Sequence, residues 1–252
     1  MLQTVDKQAV AVAFGRAATC YNQHAELQRQ CGERLMALAR SGSAMQVLDA
    51  GCGTGWFSQR WQQNGHRVTA LDLSAEMLRQ AEASAVATDY RQGDIEALPF
   101  ADASFDRCWS NLAVQWCSDL KQGLSELYRV TRPGGQVLFS TLEAGALPEV
   151  ASAWRALGAV VPLNPQPTVD EIARAGCKTA MQLHRLTLTL AYPDALSALR
   201  SLKGTGVSHL HQGRAGIVLN RQRLEQLEQV WSRDERGYLL SWKLILGVIE
   251  RE

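Results

Sequence analysis

The chain has 252 residues, 26 Lys and Arg against 25 Asp and Glu, and a net charge of +1 at pH 7, so no global field draws it to nucleic acid or to an anionic membrane surface. Its 46% hydrophobic and 20% charged content fits a water-soluble globular protein long enough for one large α/β domain. No run of about 18 apolar residues offers a membrane span, and the first residues lack the basic-then-apolar pattern of a secretion signal. The expected compartment is the cytoplasm. The cysteines include no C-x-x-C pair, so buried free thiols are expected rather than a metal centre or disulfides.

Up to about Arg40 the chain reads as helix. Gln46–Ala50 is an apolar strand that runs into Gly51, Gly53 and Gly55, and Trp56–Gln63 follows with helical spacing. Strand-like His66–Leu71, helical Ala75–Ala85, and strand-like Tyr90–Gln92 and Phe105–Ser110 come next. Leu120–Val130 is helical, with Leu120, Leu124, Leu127 and Tyr128 on one stripe; Pro133-Gly134-Gly135 stops it before the strand Gln136–Thr141. This alternation predicts a parallel sheet with crossover helices. Beyond it lie helical Leu147–Leu157 and Val169–Ala175, joined by a proline-rich stretch over 162–167. Alternating His184–Leu190, helical Ala195–Leu202 and Gln222–Trp231, and strand-like Tyr238–Ile249 complete the chain.

The glycine loop carries the first chemistry. Glycine admits positive φ and leaves backbone open to a ligand, and such a turn at the carboxyl edge of a parallel sheet is where α/β proteins bind nucleotide-like molecules. A dinucleotide fingerprint, G-x-G-x-x-G, wants glycine at 56, where tryptophan stands. Here the third glycine comes one residue early and Asp49 precedes the first. Asp72, about 20 residues on at the end of the second strand, offers two acceptor oxygens to a vicinal diol. It can also cap the helix beginning near Ser74, a task Ser74 can perform itself. Asp94, in Gly93-Asp94-Ile95 after the third strand, equally suits a plain turn.

Taken together, D-x-G-x-G-x-G over Asp49–Gly55, Asp72-Leu73-Ser74 with Met77-Leu78, the run Gly93–Phe100, and Trp109–Trp116 resemble the class I S-adenosylmethionine-dependent methyltransferases from about Gln46 to Thr141. The resemblance implies an α/β, Rossmann-like sheet, mostly parallel and seven-stranded with an antiparallel last strand. It also implies N-terminal helices and a helical insertion, about Pro193 to Arg236, between the last two strands. S-adenosyl-L-methionine is the implied cofactor, S-adenosyl-L-homocysteine its product, and no metal is implied. On that basis Asp49, Gly51, Gly53 and Gly55 meet the cofactor's amino-acid end and Asp72 its ribose. Leu73 and Met77 flank the adenine, Asp94 accepts its amino group, Ile95 backs its ring, and Asn111 faces the methionine part. One domain is expected over 1–252: a helical lid over 1–40, a cofactor core over 41–145, and substrate-side insertions with the last strands over 146–252.

The acceptor is a separate question. An amine, alcohol or carbon acid often needs a general base, whereas a carboxylate is already charged and needs a positioning cation. Ala13–Gln28, Ser110–Cys117 and Ala198–Leu210 resemble the malonyl-[acyl-carrier protein] O-methyltransferases of biotin synthesis. This resemblance implies esterification of the free malonyl carboxylate on phosphopantetheine of an acyl carrier protein, or on malonyl-CoA. An F-x-x-x-A-x-x-Y helix like Phe14–Tyr21 also opens quinone-pathway enzymes, so a small-molecule C- or O-methyltransferase of quinone or natural-product type is the alternative. Arg200 and Lys203 share one helix face and are the candidate cations for the carboxylate or the arm's phosphate, against a merely solvated face. Tyr21, seven after Phe14, faces inward, either closing the pocket over the methionine end or packing in the core. His209 and His211 face the pocket or serve structure. No nucleic-acid or membrane partner is expected.

Overall fold

The computed structural model describes residues 5–176, 180–204 and 220–252. Three helices come first, α1 Lys7–Ala17, α2 Tyr21–His24 and α3 Glu26–Met36. The alternating core follows as β1 Gln46–Ala50, α4 Trp56–Gln63, β2 Arg67–Asp72, α5 Ala75–Ala83, β3 Asp89–Gln92, β4 Phe105–Asn111, α6 Leu120–Val130 and β5 Thr131–Leu142. The last part holds α7 Pro148–Ala156, α8 Val169–Ala175, β6 Met181–Tyr192, α9 Ala195–Gly204, α10 Arg221–Val230, β7 Arg233–Asp234 and β8 Gly237–Glu250. Side-chain caps fix several helix starts. Asp6 accepts from the Ala9 amide at 2.9 Å, and Thr168 and Glu171 form a reciprocal capping box on α8.

The sheet runs β3-β2-β1-β4-β5-β8-β6, with β7 pairing β8 off that path. Pairs from β3 to β5 are parallel, and β8 is antiparallel to both β5 and β6. The expected seven-stranded, mostly parallel sheet is therefore present, with the two-residue β7 added where the chain turns into β8. Strand order reverses between β1 and β4, the switch point where such sheets open a crevice at their carboxyl ends.

Two local differences from the expected elements have clear causes. β6 and β8 run longer than their alternation predicted because they pair along their whole length, from Met181 opposite Ile249 to Tyr192 opposite Tyr238. The Pro133-Gly134-Gly135 turn falls inside β5 rather than before it. Thr131 and Gln136 pair with Phe105 and Arg107, so β5 loops out between two short-spaced partners. Gly134 takes φ +78 there.

Successive side chains on each strand point to opposite faces. Val47 and Leu138 join a core layer with Leu35 of α3, Trp61 of α4, Trp154 of α7, Leu202 of α9 and Leu227 of α10. Leu48 and Phe139 join the other layer, with Leu124 and Leu127 of α6 and Ile172 of α8. The expected insertion between the last two path strands contains α9, α10 and β7. Its segment 205–219, with His209 and His211, lies outside the described residues. Among the described residues no helix is long and apolar enough to cross a membrane.

Candidate active site

A cleft of about 650 Å³ opens at the carboxyl ends of β1, β2 and β4, and α1 lies across it through Lys7, Val10, Ala11 and Phe14. The loop leaving β1 forms one wall. Its amides at Gly51 and Cys52 both donate to the Leu71 carbonyl, at 2.7 and 3.0 Å, which ties the loop to the end of β2. Gly51, Gly53 and Gly55 take φ of +80, +56 and +84. A Cβ at Gly51 would stand 2.2 Å from the Ala113 methyl, so backbone must pass where a side chain cannot. At Gly53 the nearest atom to such a Cβ is Tyr21 Cε1, at 3.8 Å, so this residue presents bare backbone to the cleft. Gly55 lies outside the lining: its Cα faces Val86, with 2.3 Å from an added Cβ to Cγ2.

Two carboxylates flank this loop. Asp72 Oδ2 accepts from the Gly53 amide and Oδ1 from the Ser74 amide, both at 2.8 Å. Ser74 itself caps α5 by accepting from the Met77 amide. Asp72 is thus left to the loop, and its remaining lone pairs stay open to the cleft. Burial pushes its carboxyl above the usual range, against the backbone amides that donate to it. Asp49 is almost fully buried and accepts from Ser58 Oγ at 2.6 Å. Burial drives it up to about 7, with the nearby Asp72 charge adding and the Ser58 bond opposing. Asp49 faces a smaller cavity behind the loop, about 450 Å³, that shares Tyr21, Gly51, Gly53 and Asn111 with the main cleft.

The far end of the cleft is polar at one edge and apolar across its floor. Asp94 Oδ1 accepts from Lys7 Nζ and from the Glu96 amide, each at 3.0 Å, and Lys7 also pairs with Glu96. Burial works against the Lys7 charge, but the bonds to Glu96 and Asp94 prevail and hold its ammonium above the ordinary value. Leu73 and Ile95 line the cleft as apolar walls. Asn111 is fixed from both sides, donating to the Gln28 carbonyl at 2.9 Å and accepting from Ser140 Oγ at 2.8 Å. Tyr21 lines the cleft beside Phe14, whose ring meets Trp116 edge-on at 5.4 Å. Burial, with Asp72 adding, holds the Tyr21 hydroxyl well above its ordinary range.

The structure therefore brings Tyr21, Gly51, Gly53, Asp72, Leu73, Asp94, Ile95 and Asn111 to one cleft, with Asp49 immediately behind it. Met77 is not there: it is 1% exposed in the body of α5 and only its amide serves the site, through Ser74. Arg200 stands on the exposed side of α9, outside the lining, because the apolar stripe of α9 carries Ala195, Ala198 and Leu202 into the core instead. The Lys203 side chain lies outside the described residues. Lys7 carries no motif in the sequence, and Trp116 stands there only as the end of the run Trp109–Trp116. Lys7, Val10, Ala11 and Phe14 do show the three-, four- and seven-residue spacing of one helix face.

A family model described as a methyltransferase domain matches residues 48–139. A malonyl-[acyl-carrier protein] O-methyltransferase of Erwinia pyrifoliae is 66% identical, covering 100% of this chain and 96% of that protein. One of Erwinia billingiae is 62% identical over the whole of both chains, and one of Salmonella typhimurium is 49% identical over 98% of this chain and 99% of its own. Among solved structures, the YcgJ protein of Bacillus superposes with a TM-score of 0.60 at 20% identity, covering 89% of this chain and 99% of that one. The cyclase SpnF superposes with a TM-score of 0.54 at 15% identity, covering 88% and 80%. These two likenesses establish the fold and leave the reaction open, since a shared fold hosts many chemistries.

The Asp49 environment has a measurable consequence. An unfolded chain releases this proton near 3.8 and the folded protein near 7, so between those values the folded state holds more protons and stability falls as pH rises through that window. Asp49→Asn keeps an acceptor for Ser58 and removes the buried charge. It is expected to raise the melting temperature by several degrees at pH 8 and to change it little at pH 4, at about 2–4 °C per kcal/mol for a domain of this size. Melting curves that shift equally at both pH values contradict the assignment.

Proposed function

Because the chain belongs to the malonyl-[acyl-carrier protein] O-methyltransferase family, we propose that it transfers a methyl group from S-adenosyl-L-methionine to the free carboxylate of a malonyl thioester on acyl carrier protein. The full-length identity to proteins of that name carries the reading of the acceptor, and the glycine-loop cleft supports the reading of the donor. The product is a methyl ester whose masked charge lets the acyl unit be extended as an apolar primer, the role that the resemblance to biotin-pathway enzymes implies. On this reading the enzyme works in the cytoplasm, where its carrier protein is found.

The residues present fit the cofactor. Bare backbone at Gly53, two acidic side chains flanking the loop from β1 and β2, and apolar walls suit a molecule with a cationic end, a ribose and a purine. Asp49 and Asp72 supply the negative environment for the cationic end, and Asp72 retains acceptor sites for a diol. Leu73 and Ile95 flank the ring position, and Asp94 can accept an amino group where it now holds Lys7. Asn111, locked between Gln28 and Ser140, holds the strand end against which the methionine part rests. Bound there, S-adenosylmethionine supplies a methyl carbon on a sulfonium, a group that leaves without protonation.

The acceptor's part follows from charge. A carboxylate attacks as it stands, so the chain must align it, exclude water and balance its charge rather than remove a proton. Tyr21 and Phe14, with α1 across the opening, narrow the cleft to solvent. Arg200 and Lys203 remain the cations proposed for acceptor positioning: both belong to α9, which packs against α2, the helix that begins at Tyr21, and Arg200 would act from outside the cleft lining.

Two measurements test this reading. With cofactor labelled in its methyl group, malonyl-carrier protein should become labelled in a base-labile ester and acetyl-carrier protein should not; label passing to a quinol precursor instead overturns the acceptor. Gly53→Val places a side chain in the cleft without meeting a packed neighbour, at a φ of +56 that a β-branched residue adopts only under local strain. It should weaken cofactor binding at least thirtyfold by calorimetry with the circular dichroism spectrum kept, and unchanged affinity contradicts the loop's role.

A further inference from the structure

A second groove, about 1280 Å³ including its open mouth, lies on the other side of the turn that closes the cleft. Cys117 lines both. A smaller cavity of about 450 Å³ joins them, sharing Trp116 with the cleft and Gln115 and Gln166 with the groove. Residues 115–117 therefore border the cleft, the groove and the small cavity between them. The groove's inner end is the carboxyl end of β5, and its rim is the proline-rich segment with α8 on one side and the start of α6 on the other.

Two observations make this groove more than a gap between helices. At its inner end, Thr141 is fully buried and its Oγ1 has no partner among the described residues; the half-buried Gln115 likewise has a buried Oε1 without one. The other fully buried hydroxyls of the sheet and its loops are satisfied: Ser58 by Asp49, Ser110 by the Ala50 carbonyl, Thr131 by the Leu127 carbonyl, and Ser140 by Asn111. A buried polar atom left unpaired is costly, so Thr141 and Gln115 are placed for something that enters. At the outer end, Lys121 and Arg174 are exposed and neither forms a salt bridge among the described residues. The acids beside them are occupied at helix starts. Asp119 accepts from the Lys121 amide and Glu171 from the amide and hydroxyl of Thr168, so these carboxylates, though still charged, form no salt bridge with Lys121 or Arg174 among the described residues; Arg174 Nε donates to the Asp170 carbonyl at 3.1 Å.

The matching ligand is long, neutral and hydrogen-bonding at its inner end, and anionic at its outer end. We propose that this groove takes the phosphopantetheine arm of the acyl carrier protein. Thr141 donates to a carbonyl of the arm near the thioester, and Gln115 accepts from an amide N–H. Lys121 and Arg174 meet the phosphate where the arm joins the carrier. The malonyl end then passes the 115–117 turn into the cleft. This assignment rests on the acceptor reading above and adds to it the path by which the acceptor arrives.

The test compares two soluble fragments of the arm, 4′-phosphopantetheine and pantetheine, as inhibitors of methyl transfer to malonyl-carrier protein. In the unaltered enzyme the phosphorylated fragment should inhibit at least tenfold more strongly. In the double variant Lys121→Glu, Arg174→Glu, whose changes are confined to exposed side chains, that ratio should collapse to about one while cofactor affinity is kept. Thr141→Val should weaken inhibition by both fragments about equally. Equal inhibition in the unaltered enzyme, or a ratio unmoved by the charge reversal, overturns the groove assignment while labelled ester formation leaves the acceptor reading standing. Failure of the unaltered enzyme to esterify malonyl-carrier protein overturns both.

Discussion

The contact between the Gly53 amide and Asp72 Oδ2, 2.8 Å long, is the point around which the site is organised. It joins the loop after β1 to the last residue of β2, and parallel pairing of those strands, with Ala50 opposite Leu71, brings the two together. The Leu71 carbonyl reinforces the junction by accepting two loop amides. Holding the loop this way places Asp49 and Asp72 close to one another in an enclosed site. Among the described residues neither forms a salt bridge, and burial raises both carboxyls. A pair of acids strained in this manner favours a ligand that brings positive charge.

The N-terminal helices complete the site from outside the sheet. Lys7 bonds the Asp94–Glu96 edge, the Val5 amide donates to Ser118 Oγ at 3.2 Å, and Phe14 rests against Trp116. The helix over the cleft is thus held by the same acid that a bound purine would use. On the proposed reading closure and recognition share one residue, Asp94, and residues 115–117 lie between that chamber and the groove beyond it.

What was legible in the sequence was what lies contiguous in it. The glycine loop, Asp72 at a strand end and Asp94 at the next each sit in a short run whose spacing carries its meaning, and all come to the cleft or its back wall. Residues that arrive through packing were harder to find. Lys7 reaches Asp94 across 87 positions, and no local pattern announces an ion pair of that span. Gly55 and Met77 belong to the motifs and serve them indirectly, one by letting Val86 approach and the other by giving its amide to Ser74. Thr141 reads in the sequence as one more residue of an apolar strand. Its missing partner becomes visible only when the other buried hydroxyls have been accounted for.

If the acids flanking the glycine loop hold a cationic donor, binding of the cofactor should displace the proton that Asp49 carries. Calorimetric titration of the cofactor at pH 6.5 in buffers of different ionisation enthalpy counts the protons exchanged. With Asp49 near 7 in the free protein, roughly half a proton or more should leave on binding, because a nearby positive charge lowers the carboxyl's affinity for it. The Asp49→Asn protein should release clearly less. Binding without proton release in the unaltered protein, or equal release from both, contradicts the account.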